Sequence, residues 1–337
     1  MGRFSCLEAF ALVEYNKPHL NYNEQLALLR SRGLDVGPEA DAVALLRRVG
    51  YYRLSAYTYI LRAPASEAEA AEGARRSSRF VDGARLEDVK KLYEFDGRLR
   101  SVLLEGLQAL EVALRVEIGY TLGKRGGFGH LDPAHLDSAR CLQSPQRRGR
   151  TSPTEHADWL ETYGDLCTKA KNEDFVNHFY TKYEGRMPIW VATEVMTFGA
   201  LTGLYYLLEP RDGKAIAKRW NGGNRDVLRG WLLALNVLRN HCAHNARIWN
   251  RKMVYPPARP PRNLVPQELY HLRHVENDRV YLLAALLTHL LRQIDADTRW
   301  PAHFREAMKR YPSLNGMTPQ GAMGFPTDWL SYQLWSV

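Results

Sequence analysis

An arginine, an asparagine and a histidine at positions 239, 240 and 244 bring a guanidinium, an amide and an imidazole into one short segment, Arg239-Asn240-His241-Cys242-Ala243-His244. Imidazole titrates near neutrality, so it can give and take protons without a metal. The planar fork of a guanidinium can stabilise charge on a five-coordinate phosphorus. RNA supplies its own nucleophile, the 2′-hydroxyl. An Arg and a His therefore suffice in principle for RNA cleavage with no metal and no cofactor. His241 is a possible assistant, although its place in the segment also suits packing or plain surface exposure.

The surroundings favour a polyanion. From Val227 to Gln267 there is no Asp or Glu, while Arg229, Arg239, Arg247, Arg251, Lys252, Arg259 and Arg262 all occur. Such a field attracts phosphates. It disfavours a two-metal nuclease site, because hard divalent ions need carboxylates. Arg140, Arg147, Arg148 and Arg150 add a second acid-free cluster, and Arg53 sits within the aromatic run Tyr51-Tyr52-Arg53-Leu54-Ser55-Ala56-Tyr57. These residues read as an RNA-binding set, and the formal net charge of +9 agrees with it. By spacing alone such residues are more often ordinary surface groups, and a basic stripe is more often a binding face than a catalytic one. The residues by themselves leave both readings open.

Helices must carry this chemistry, because apolar residues recur at spacings of three and four and no convincing strand alternation is visible. A helix over 226–249 places Leu228, Trp231, Leu235, Leu238 and Cys242 on one core face, with Asn240, His244 and Arg247 opposite and Arg239 at the edge. The longest helix starts near Leu86 and ends by Gly123, with Leu99, Leu103, Leu107, Leu110, Leu114 and Ile118 in its buried stripe. Glu111 and Arg115 on that helix are spaced as an i,i+4 ion pair. Other helices fit 21–33, 38–50, 156–183, 190–208, 212–219 and 277–294. The expected fold is all-α: an N-terminal helical lobe over 1–62, a flexible loop over 63–79 and a larger helical domain over 80–337.

Bulk properties set the class. With 337 residues, 45% of them apolar, the chain can bury a real core. Its four cysteines are scattered, so neither a disulfide framework nor a zinc ribbon is suggested. No secretory signal and no membrane-length apolar run is visible, which leads to the expectation of a cytoplasmic protein without membrane attachment.

Ordered blocks along the chain sharpen the functional reading. They include Lys17-Pro18, Arg32-Gly33-Leu34, the Tyr51–Tyr57 run, Leu92-Tyr93-x-Phe95-Asp96-x-x-Leu99-Arg100 and Glu111-Val-x-Leu114-Arg115. Further blocks are Pro188-Ile-Trp190-x-x-x-Glu194-Val-x-x-Phe198-Gly199, Arg239–Asn250 and Gly324-Phe-Pro-x-Asp-Trp329. This succession resembles the Abi-like family of bacterial abortive-infection proteins of the AbiD/AbiF type. Arg239-x4-His244 resembles the Arg-x4-His motif of the HEPN superfamily. The resemblance implies a HEPN-type helical bundle and phage defence through RNA. It implies His244 as general base or acid, Arg239 as phosphate and transition-state stabiliser, and Asn240 as positioner. It also implies a homodimer, because the chain has one Arg-x4-His and acid–base cleavage wants two proton-transferring groups. The rival reading is a protein that holds a structured non-coding RNA without cleaving it, or with a dormant nuclease.

Overall fold

The stripe Leu99, Leu103, Leu107, Leu110, Leu114 and Ile118 is fully buried along one 38-residue helix, Leu86–Gly123. Helical spacing and depth of burial agree along its whole length, as an apolar stripe facing a core requires. The computed structural model describes residues 17–145, 151–259, 261–314 and 316–336. It is mostly helical, so the all-α expectation is met. The chain divides into two compact units, one ending at Tyr93 and the other beginning at Glu94.

In the first unit, α1 (Tyr22–Ser31) starts with a capping box: Asn21 Oδ1 accepts from the Glu24 amide at 3.0 Å, and the Glu24 carboxylate accepts from the Asn21 amide at 2.7 Å. Helices α2 (Glu39–Val49) and α3 (Tyr51–Thr58) meet at Gly50, whose φ of +85° turns the chain between them. The segment expected to be a loop over 63–79 is instead structured. Strand β1 (Arg62–Pro64) pairs antiparallel with β2 (Arg76–Phe80), and the short helix α4 (Glu67–Ala71) lies between them. Polar bonds hold it: Arg76 Nη1 donates to the Arg62 carbonyl at 2.6 Å, and Glu69 accepts from Ser77 Oγ at 2.9 Å. Apolar alternation contributes little, which is why a hydrophobic pattern does not reveal it.

The second unit contains most of the long helix, α5 (Leu86–Gly123), and then α6 (Ser138–Cys141), α7 (Glu155–Lys169), α8 (Asp174–Tyr183), α9 (Ile189–Val195), α10 (Phe198–Leu207), α11 (Pro210–Arg219), α12 (Arg225–Ala243), α13 (Val280–Ile294), α14 (Trp300–Lys309) and α15 (Pro319–Met323). Three expected helices change. The one over 156–183 is α7 and α8, the one over 190–208 is α9 and α10, and the one over 226–249 stops at Ala243. Helix α14 was not expected at all; it buries Trp300, Phe304 and Met308, spaced four apart, on one face. Gly106 lets α14 come close, because a Cβ there would lie 2.6 Å from Trp300 Nε1. That indole N–H donates to the Val102 carbonyl at 2.7 Å.

His130 gives this unit a pH dependence. The side chain is fully buried, edge-on to Tyr163 at 5.5 Å, and neither ring nitrogen has a hydrogen-bond partner. Burial, with a smaller push from His156, lowers its pKa from the ordinary 6.5 to about 4. The unfolded chain therefore takes up a proton first. The stability this residue contributes is complete above pH 6.5 and is lost as the pH falls to about 4, a total on the order of 3 kcal/mol. Denaturant titrations at pH 7 and pH 4.5 should show a smaller loss for His130→Leu than for wild type. Equal losses would contradict this account.

Candidate functional site

Helix α12 begins under Asn224, whose side chain accepts from the amides of Asp226 at 3.0 Å and Val227 at 2.9 Å. Leu228, Trp231, Leu235, Leu238 and Cys242 are all buried, as helical spacing predicts. Burial pushes the Cys242 thiol up to about 12, so it is a core group and not a nucleophile. The far end closes with a Schellman turn. The Asn245 amide donates to the Cys242 carbonyl at 3.1 Å, the Ala246 amide donates to the His241 carbonyl at 2.9 Å, and Asn245 has φ +53°. His244 is thus the capping residue, one position past the helix. Arg247 lies beyond the turn, so it does not share a helical face with Asn240 and His244 as expected.

An acid from α5 holds the chain just after that turn. Asp96 is fully buried, and its Oδ1 accepts from the amides of Ile248 at 3.0 Å and Trp249 at 2.8 Å. Its Oδ2 meets Arg100 Nη1 at 2.5 Å, and the same nitrogen lies 3.4 Å from the Ala246 carbonyl. One carboxylate therefore fixes the exit of the segment that carries His244. Asp96 occupies a position on the buried face of α5, where an acid needs partners. An acid on the apolar stripe of a long helix, four residues before an arginine, is the sequence signal for such a clamp.

A second acid positions Arg239. Its Nε lies 3.3 Å from Oε2 of Glu111, an ion pair without hydrogen-bond alignment. The other Glu111 oxygen accepts from Arg115 at 2.8 Å, the expected i,i+4 pair. Arg115 also donates to the carbonyls of Thr193 and Met196, both at 3.1 Å. Those carbonyls belong to the end of α9 and the break before α10, so the break in the expected 190–208 helix is where Arg115 docks. Glu111 is buried, Arg239 is half-buried, and Asn240 and His244 are exposed. His241 is half-buried, and its pKa is lowered by burial, then by Arg251 and His244, which keeps it neutral at pH 7.

The wider basic set is dispersed. Arg140 is not a free loop cation: it meets Asp226 at 2.8 Å and Asp137 at 3.6 Å, and its guanidinium covers the Tyr206 ring at 4.5 Å. Arg147, Arg148 and Arg150 lie outside the described residues. Arg251 donates to the Arg247 carbonyl at 2.7 Å, Lys252 faces Asp278 at 3.6 Å, and Arg259 donates to the Val275 carbonyl at 3.1 Å. Arg262 sits 5.1 Å over the Tyr270 ring and is exposed, and Arg53, in the first unit, is exposed too. The segment without acids is therefore partly neutralised by acids from other elements, Glu111 and Asp278 among them.

Among the described residues, no helix is long and apolar enough to cross a membrane. No curated protein and no solved structure matches the chain. The family described as Abi-like protein matches residues 44–250, a range that takes in Tyr51–Tyr57, Asp96 and Arg100, Glu111 and Arg115, Trp190, and Arg239–Asn250. The clamps on Arg239 and on the exit from His244 thus fall inside the matched range, which covers more than half of the 337 residues. The chain belongs to the Abi-like protein family, whose role at the level of the family is abortive infection by phage.

Proposed function

We propose that this protein is a metal-independent endoribonuclease of the HEPN type, cutting RNA during abortive infection. The observation that carries the reading is Arg239 held by the buried Glu111 beside the exposed Asn240 and His244. Glu111 meets the guanidinium at Nε, and the terminal nitrogens are left for a phosphate. His244 takes the proton of the 2′-hydroxyl, whose oxygen attacks the adjacent phosphorus. Arg239 stabilises the charge that builds there, and Asn240 orients the phosphate. The bond to the 5′-oxygen breaks, leaving a 2′,3′-cyclic phosphate, and a second imidazole protonates the departing oxygen. In a homodimer with its two-fold axis near α12, the second copy's His244 fills that role.

Purified protein incubated with total RNA should cut it in the presence of EDTA, and His244→Ala should not. Products should carry 2′,3′-cyclic or 3′-phosphate ends, and 2′-deoxy at the scissile position should resist. The same preparations, weighed in solution with and without RNA, should contain dimers. Loss of cleavage with chelator, or cutting of DNA, defeats the mechanism. A strictly monomeric active particle moves the second proton transfer to His241. One observation favours a binding protein with dormant chemistry: Glu111 offsets part of the Arg239 charge. That reading is upheld if RNA is retained in a salt-dependent way and never cut.

A further inference from the structure

Beside the Arg115–Glu111–Arg239 chain lies a cavity of about 480 Å³ lined by Arg115, Val116, Tyr120, Lys124, Trp190 and Glu194, among others. Its large side chains are unusually exposed for aromatic and aliphatic groups: Trp190 is 57% exposed, Tyr120 66% and Val116 65%. A depression that brings exposed aromatic rings together with a few polar groups is a candidate binding surface.

The Trp190 ring is held in place. A Cβ at Gly119 would lie 3.5 Å from Trp190 Cα, one at Gly123 3.4 Å from its Cε3, and one at Gly127 3.3 Å from its Cη2. The end of α5 and the following turn pack against Trp190 at ordinary contact distances, and only at Gly127 would a side chain press on the ring. One side of the indole lies against the stretch that holds Gly123 and Gly127, and more than half of the residue still faces solvent. An aromatic ring fixed in this way loses little freedom when something stacks on it. Nearby, Lys124 Nζ lies 4.0 Å over the Tyr120 ring, so an exposed ring and a cation are presented together.

We infer that this cavity is a nucleobase subsite for single-stranded RNA, with Trp190 and Tyr120 stacking on bases next to the scissile phosphate. The inference rests on the RNA reading above and adds to it the side of the site on which the strand runs. Arg115 lines the cavity and also pairs with Glu111, which pairs with Arg239, so a chain of ion pairs links the cavity to the motif. Stacking platforms combined with cations are how single strands are gripped without a demand for sequence. Lys124 provides the charge for a flanking phosphate, while Arg115, held by Glu111 and by the Thr193 and Met196 carbonyls, ties the cavity to the motif. Glu194, exposed at the rim, can accept from the exocyclic amines of adenine, cytosine or guanine.

The test uses the full chain and a fluorescently labelled, 2′-O-methylated single-stranded oligoribonucleotide, which cannot be cut. Trp190→Ala and Tyr120→Ala should each weaken binding roughly 5- to 100-fold, the usual range for one stacked base, while Trp190→Phe stays within a few-fold of wild type. An oligonucleotide with abasic sites should bind wild type and Trp190→Ala alike. Circular dichroism of each variant checks the fold, and Tyr120→Ala, at a side chain 66% exposed, carries the test if Trp190→Ala fails to fold: its unchanged affinity would overturn the subsite. Unchanged affinity of Trp190→Ala for an oligonucleotide that wild type binds overturns the subsite alone. Conversion of a dimer to a monomer by Trp190→Ala, without loss of affinity per chain, assigns the surface to a second copy and overturns it as well. No binding by wild type defeats the RNA reading itself, and the subsite with it.

Discussion

His244→Ala should lower the rate of RNA cleavage by about 10²- to 10⁴-fold, the usual contribution of one positioned acid or base. The fold should survive, because His244 is an exposed capping residue whose backbone amide, and not its ring, makes the last helical bond, to the Asn240 carbonyl at 3.0 Å. Its truncation should change stability by no more than about 1 kcal/mol. Arg239→Ala should cost about 10²- to 10³-fold, as loss of one charge-stabilising donor does. It also removes one of the two cations on the buried Glu111, so some stability should go with it; the Arg115 contact at 2.8 Å limits that loss. Arg239→Lys keeps the charge without the fork, and should stay well below wild type if bidentate phosphate contact matters. Initial rates on a defined RNA, with protection against phage in cells as the second readout, measure these effects. Full activity in a folded His244→Ala protein would remove this residue from the chemistry.

What could be read from the sequence is what depends on neighbours along the chain. Helix α5 was expected from Leu86 to Gly123 and has those limits, because its apolar stripe is long and regular. The core face of α12 follows from spacing in the same way. The closeness of Arg239, Asn240 and His244 needs only one helical turn, so it too was legible. Contacts between distant segments were not. Glu111 reaches Arg239 across 128 positions, and Asp96 reaches Trp249 across 153. A tally of charge along 227–267 cannot include acids brought in by other helices. Arg140, read as part of a free basic loop, is tied by the fold to Asp226. The end of α12 was within reach, because Asn245 is among the few residues that enter the left-handed region readily.

Asp96→Ala should be the most damaging single change to the fold around the site. The side chain is fully buried and holds three groups at once: the Ile248 amide, the Trp249 amide and the Arg100 guanidinium. Removing it leaves a cation that is itself almost fully buried without its acid, and breaking a buried pair on one side costs about 3–5 kcal/mol. The two amides lose their acceptor, which adds to the loss where no water enters. Asp96→Asn keeps one acceptor oxygen but sets an amide beside the guanidinium, so it should fall between Ala and wild type. The double variant Asp96→Ala/Arg100→Met separates the two effects. It removes the stranded charge and should recover part of the stability, yet the Ile248 and Trp249 amides stay without their acceptor. The turn after His244 should then remain loose, and cleavage should remain low despite the recovered fold. Denaturant midpoints report the first effect, and hydrogen exchange at the Ile248 and Trp249 amides reports the second. If Asp96→Ala were as stable as wild type, with both amides still protected, the carboxylate would not be what holds the exit of the motif in place.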